Sequence, residues 1–101
     1  MAGLHKTEIL RQESAETLAL QALGWLLSRD DLVPQFMAAT GASPDDLRAL
    51  AADAGFLGAV LDFLLTDDQM VQAFAGDAGL APDLPMRARA ALPGGMIPDW
   101  T

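Results

Sequence analysis

The chain has no cysteine, no tyrosine, a single histidine and only 6 basic residues among its 101. Without cysteine there is no disulfide, no thiolate nucleophile and no cysteine metal ligand. His5 has no second histidine or cysteine to act with, so the usual acid–base and nucleophile arrangements cannot be assembled. These shortages predict no catalytic residue, no metal site and no cofactor.

Positive charge is scarce, because 14 acidic residues outweigh the 6 basic ones and give a formal net charge of −8. Nucleic acids are bound by neutralising phosphates with Lys and Arg, and anionic membranes attract basic segments. Arg87 and Arg89 form a close basic pair, which is too small for a nucleic-acid patch. We therefore expect neither nucleic acid nor membrane among the partners.

Long apolar runs are also missing, although 51% of the residues are hydrophobic. The apolar stretches are interrupted by Gly, Gln or Asp before they reach the length that spans a bilayer. Residues 1–12 lack the basic segment, apolar run and cleavage site of a signal peptide. We therefore expect a cytoplasmic protein. Abundant Ala and Gly, which have GC-rich codons, favour a bacterial source.

The patterns that are present are helical, and no segment alternates like a strand. They predict an all-α fold, a compact bundle of five or six helices in one domain over residues 1–101. Residues 1–13 are expected to form a loose N-terminus, and residues 93–101 an irregular tail. The two central helices are expected around Leu23 and Leu61, because both segments are apolar on nearly all sides.

Capping residues indicate where the helices begin and end. Gly41 and Gly79 are typical helix stops, and Asp83 to Leu92 is expected to form the sixth helix. Adjacent carboxylates without calcium-loop spacing are interpreted as caps rather than metal ligands. The predicted N-terminal caps are Asp30 or Asp31, Ser43, Asp53, and Thr66 with Asp67 and Asp68.

The chain matches itself when it is shifted by 38 residues, without a gap. The shared unit is a long apolar helix, a capped shorter helix, a glycine stop and a Pro-Asp helix start. Periods of this length are typical of stacked helical pairs, so the match favours two pseudo-symmetric helical units. The matched positions include Trp25 with Phe63, Asp30 with Asp68, Phe36 with Phe74, Gly41 with Gly79, and Pro44 with Pro82.

Four segments occur in a distinctive order. They are ETLALQAL at 16–23, TGASPDDLR at 40–48, FLGAVLDFLL at 56–65 and MRARAALPG at 86–94. In this order they resemble a family of short uncharacterised alphaproteobacterial proteins, known as a domain of unknown function. The resemblance implies a small helical cytoplasmic protein with no assigned activity and no catalytic residues to carry over. It further suggests a regulatory partner.

Several residues are candidates for a partner or ligand surface. Asp62 interrupts an apolar helix, so we expect it either to lie on an exposed strip or to pair with Arg87 or Arg89. Gly24, which matches Asp62, is expected to allow close backbone approach. The apolar tail is expected either to fold back or to bind a partner. The candidates are Gly24, Trp25, Asp62, Arg87, Arg89 and Trp100.

The leading functional hypothesis is a non-enzymatic, protein-binding or regulatory module. It follows from the lack of a catalytic set, a cofactor motif and a basic surface. The alternative is a small-ligand binder or enzyme whose pocket opens between the two central helices, near Trp25, Asp62 and Phe63. A third hypothesis is a structural subunit of a homo-oligomer.

Overall fold

A computed structural model describes residues 11–93 of the chain. No strand occurs in this range, and the predicted all-α bundle of five or six helices is confirmed. Residues 1–10 of the expected loose N-terminus and residues 94–101 of the expected tail lie outside the described residues. The helices are α1 (Gln12–Leu27), α2 (Val33–Thr40), α3 (Leu47–Leu50), α4 (Ala54–Leu64), α5 (Asp68–Ala78) and α6 (Leu84–Ala90), with a 3-10 turn at Pro44–Asp46.

The core lies where α1, α4 and α6 pack against one another. Leu23 and Leu61, the predicted centres of the long helices, are both buried. Three buried alanines on α1, at positions 15, 19 and 22, keep that face of the helix narrow and let its neighbours come close. Other large side chains of this core include Leu18, Leu26, Phe56, Leu57, Val60, Leu64 and Leu92.

Helices α2 and α5 each contribute one large aromatic ring to the core. Phe36 is 0% exposed and Phe74 is 1% exposed, as the 38-residue match predicts. If the match reflects a duplication, all four matched rings should be buried, but Trp25 and Phe63 are only partly buried. Their rings reach the edge of the core, where they pack against Phe74 and Phe36 respectively.

The two glycine stops and two aspartate caps are confirmed. Gly41 and Gly79 end α2 and α5 in the left-handed conformation, with φ of 73° and 71°. The Asp53 carboxylate accepts a hydrogen bond from the Phe56 N–H at 2.9 Å at the start of α4. The Asp67 carboxylate accepts one from the Gln69 N–H, also at 2.9 Å, at the start of α5.

The caps predicted at Asp30 or Asp31 and at Ser43 make no side-chain bond to a backbone N–H of the helix that follows. Helix α2 follows a tight turn with Leu32 at its N-cap position and no side-chain cap, because the turn bonds its own backbone groups. Asp31 instead lies 3.6 Å from the Arg29 guanidinium. Ser43 does stand at an N-cap position, but its hydroxyl donates to the Asp46 carboxylate at 2.8 Å. The helix expected there is a 3-10 turn and one α-helical turn.

None of the helices between residues 11 and 93 is both long enough and apolar enough to cross a membrane.

Candidate functional site

Trp25, near the end of α1, is held by three side chains. Its indole Nε1–H donates to the Asp77 carboxylate of α5 at 2.8 Å. Its ring meets Phe74 edge-on, with centroids 5.7 Å apart and planes inclined by 65°. The Arg29 guanidinium lies 4.9 Å from its centroid, in cation–π range. The indole therefore has a defined orientation at the protein surface.

A groove of about 300 Å³ opens beside this ring, between the end of α1 and the start of α5. We call it the Trp25 groove. It combines an aromatic and aliphatic surface with a charged rim that carries both signs. Its apolar residues are Trp25, Leu32, Met70 and Ala73, and its polar residues are Arg29, Asp31, Asp67 and Gln69.

A second polar cluster joins α4 to the end of α6. Arg89 Nε and Nη2 donate to the two oxygens of Asp62, at 2.6 and 3.1 Å, and Nη1 donates to the Pro93 carbonyl at 3.0 Å. A Cβ at Gly58 would lie 2.8 Å from Nη1, so the guanidinium occupies the space over this glycine. We call these four residues the Arg89 clasp. Both alternatives expected for Asp62 hold, because its side chain is exposed and also pairs with Arg89.

A second groove, of about 280 Å³, has Asp62 in its lining. We call it the Phe63 groove. Phe63 is partly exposed there, and its ring packs edge-on against Phe36 with centroids 5.4 Å apart and planes inclined by 72°. The groove is lined by Ala39, Thr40, Ala59, Asp62, Phe63 and Thr66.

The structure separates residues that the sequence interpretation grouped. Trp25 lines one groove, while Asp62 and Phe63 line the other. Gly24 is exposed, and a Cβ there would meet nothing within 4 Å. The predicted close approach at Gly24 is therefore wrong, because this position faces away from the packed side of α1.

The remaining predicted residues have other surroundings. Arg87 Nη1 lies 3.8 Å from the Asp83 carboxylate, one turn earlier on α6. Trp100 and His5 lie outside the described residues. Among the described residues, no group of three or more His, Asp or Glu side chains is placed to hold a metal ion.

Sequence reasoning missed Arg29, Asp77 and Gly58. Arg29 follows Trp25 by four residues, a spacing that puts two helical side chains side by side and could have indicated the cation–π contact. Gly58 precedes Asp62 by four residues, so the two share a face. Asp77 had no local signal, because its partner Trp25 is 52 residues away in the chain.

The aromatic contacts follow the 38-residue match reciprocally. Trp25 corresponds to Phe63, and Phe74 corresponds to Phe36. The contact between Trp25 and Phe74 therefore has its counterpart in the contact between Phe63 and Phe36. Such reciprocity is the pattern that a two-fold relation produces. The internal repeat itself stays a prediction.

The same match runs through the Trp25 groove. Three pairs of matched positions line it together: Arg29 with Asp67, Asp31 with Gln69, and Leu32 with Met70. The groove therefore lies between the start of α2 and the start of α5.

The chain belongs to a protein family described as "Protein of unknown function (DUF3572)", which matches residues 12–95. The predicted membership of a family of unknown function is thereby confirmed. No curated protein and no solved structure matches the chain.

Proposed function

We propose that this protein is a non-enzymatic module that binds another protein through the Trp25 groove. The observation that carries the proposal is the fixed indole of Trp25, tied to Asp77 at 2.8 Å beside an open groove. We further propose that the module acts in the cytoplasm, that it comes from a bacterium, as its composition favours, and that its partner is regulatory.

The composition of the groove supports a protein partner. Interfaces concentrate their binding energy in a few aromatic, Met and Arg side chains, surrounded by a polar rim that excludes water. Trp25, Met70 and Arg29 are of these types, and Asp31 and Asp67 lie on the rim. Since the indole is already oriented, binding costs less side-chain entropy than it would for a free tryptophan.

The size and charge of the groove indicate what the partner presents. About 300 Å³ is at the low end for small-molecule pockets and suits one large apolar side chain. The net charge of −8 and the two rim carboxylates favour a basic neighbour for that side chain. We therefore expect an apolar anchor, such as Leu or Phe, flanked by Lys or Arg on a helix or loop of the partner.

Quantitative co-purification from native cells tests this proposal. The tagged full-length chain is compared with Ala73→Arg, which fills the groove with a charged side chain. Gln72→Arg is the matched control, because it adds the same charge to the same helix at an exposed position outside the groove. We expect at least one protein to be retained by the wild type and the control and lost by Ala73→Arg.

Purified partner then has to bind the wild-type chain directly, with an affinity that falls as salt concentration rises. Partners retained equally by all three proteins would contradict the groove as the binding site. If light scattering showed a dimer that Ala73→Arg dissociates, the groove would serve self-association instead.

A further inference from the structure

The Phe63 groove adjoins the point where the described chain ends. Arg89 donates to Asp62, which lines the groove, and also to the carbonyl of Pro93 at 3.0 Å. One guanidinium therefore holds the wall of the groove and the end of the described chain together. We infer that residues 94–101 of the same chain bind in the Phe63 groove and cover the ring of Phe63.

The sequence of residues 94–101 suits this position. Gly94 and Gly95 follow Pro93 directly and permit a sharp reversal of the chain. Three large apolar residues then follow, Met96, Ile97 and Trp100. At about 3.3–3.6 Å per residue, an extended chain carries Trp100 as far as about 25 Å from Pro93. The guanidinium of Arg89 contacts both the groove wall and Pro93, so the whole length of the groove is within reach of residues 94–101.

The Trp25 side differs in how its outer ring is held. There, the indole of Trp25 donates to Asp77 and joins α1 to α5 beside the Trp25 groove. The matched positions hold Phe63 and Ala39, and a phenyl ring and a methyl group cannot form such a hydrogen bond. Phe63 is therefore left partly exposed beside Ala39 and Ala59. An apolar side chain laid over this ring removes both surfaces from water and adds an aromatic contact if it is Trp100.

This inference is independent of the proposed partner site, because the two grooves share no lining residue. A protein whose tail covers Phe63 can still bind a partner at Trp25. Conversely, the tail can bind in its groove even if no partner exists.

Tryptophan fluorescence tests the inference on the full-length chain. The chain has 2 tryptophans, so Trp25→Phe leaves Trp100 as the single reporter. We expect its emission to be blue-shifted relative to a peptide of residues 94–101, and its quenching by acrylamide to be several-fold slower. On this background, Ala39→Glu places a charge in the groove and should return both signals to the peptide values. Ala38→Glu, on the same helix outside the groove, should leave both unchanged.

Three results would overturn the inference. Trp100 could behave as it does in the free peptide; it could be protected equally in both glutamate variants; or its protection could rise with protein concentration, which would indicate the tail of a second copy. Circular dichroism of each variant checks that the helices persist. If Trp25→Phe does not fold, the difference between the spectra of the wild type and Trp100→Phe reports the same signal.

Discussion

The surroundings of Trp25 and Phe63 differ, although both rings stand at matched positions and pack on matched partners. Trp25 is bonded to a carboxylate and carries a guanidinium over its face. Phe63 lies in an open groove beside Ala39, Thr40, Ala59, Asp62 and Thr66. The inner contacts are alike, with centroids 5.7 and 5.4 Å apart, and only the outer edges diverge.

This difference separates the buried contacts, which the fold requires, from the exposed edges of the two rings, which can differ. Phe36 and Phe74 are buried to nearly the same extent, so each ring fills a part of the core. The outer edges of Trp25 and Phe63 contribute little to the core, so their surroundings can differ without loss of the fold. The polar edge at Trp25 is suited to a partner, and the apolar edge at Phe63 is suited to a segment of the chain itself.

The largest expected effect tests whether the inner contacts are equivalent. Phe36→Ala and Phe74→Ala should each cost about 3–5 kcal/mol of unfolding free energy, since each leaves a cavity where a buried ring stood. Urea unfolding followed by circular dichroism measures both. A loss below about 1 kcal/mol for one ring alone would break the comparison, because only the other would then close the core.

The next effect concerns the Arg89 clasp, for which the Trp25 side has no counterpart. Alanine normally stabilises a helix interior by about 1 kcal/mol relative to glycine, but the new Cβ at Gly58 would displace the guanidinium of Arg89. Gly58→Ala should therefore destabilise the wild type by about 1 kcal/mol and stabilise Arg89→Ala by about the same amount. A double-mutant cycle measures this reversal of sign. The same effect of Gly58→Ala in both backgrounds would show that the guanidinium does not depend on the glycine.

A smaller effect compares the starts of the two shorter helices. Asp67 caps α5 through the Gln69 N–H, whereas α2 has no side-chain cap. Asp67→Ala should cost about 1 kcal/mol, and Asp31→Ala should change stability by less than about 0.5 kcal/mol. Thermal or urea unfolding of the two variants decides. Equal losses would mean that Asp31 supports α2 by a contact other than a cap.

The smallest effect isolates the bond that closes the Trp25 edge. Asp77→Ala removes the acceptor of the indole N–H, and the same change in a Trp25→Phe background has no such bond to remove. The two losses should differ by about 0.5–1 kcal/mol, the net worth of one hydrogen bond to a charged group near the surface. A cycle of four proteins measures the difference by urea unfolding. No coupling would mean that the indole is oriented by Phe74 and Arg29 alone.

Local chemistry predicted much of the fold. A glycine can take positive φ without a clash, so Gly41 and Gly79 were predictable helix ends. Asp53 and Asp67 were predictable caps because a carboxylate just before a helix can accept a hydrogen bond from a backbone N–H of its first turn. The cap predicted at Asp31 was wrong because a backbone turn already provides hydrogen-bond acceptors for the N–H groups at the start of α2. The close approach predicted at Gly24 was wrong because helical spacing shows which residues share a face but not which neighbour that face contacts.

The sequence by itself determined that this is a helical protein, where its helices begin and end to within a few residues, and that Asp62 lies on an exposed strip or pairs with Arg87 or Arg89. These features depend on residues within a turn or two of each other, or on the cost of an unpaired carboxylate on an apolar helix. Only the tertiary structure decided that Asp62 pairs with Arg89, 27 residues away, and that Trp25 is bonded to Asp77, 52 residues away. It also decided that Trp25 and Phe63 line separate grooves. Such contacts are set by the packing of whole helices, and no local pattern records that packing.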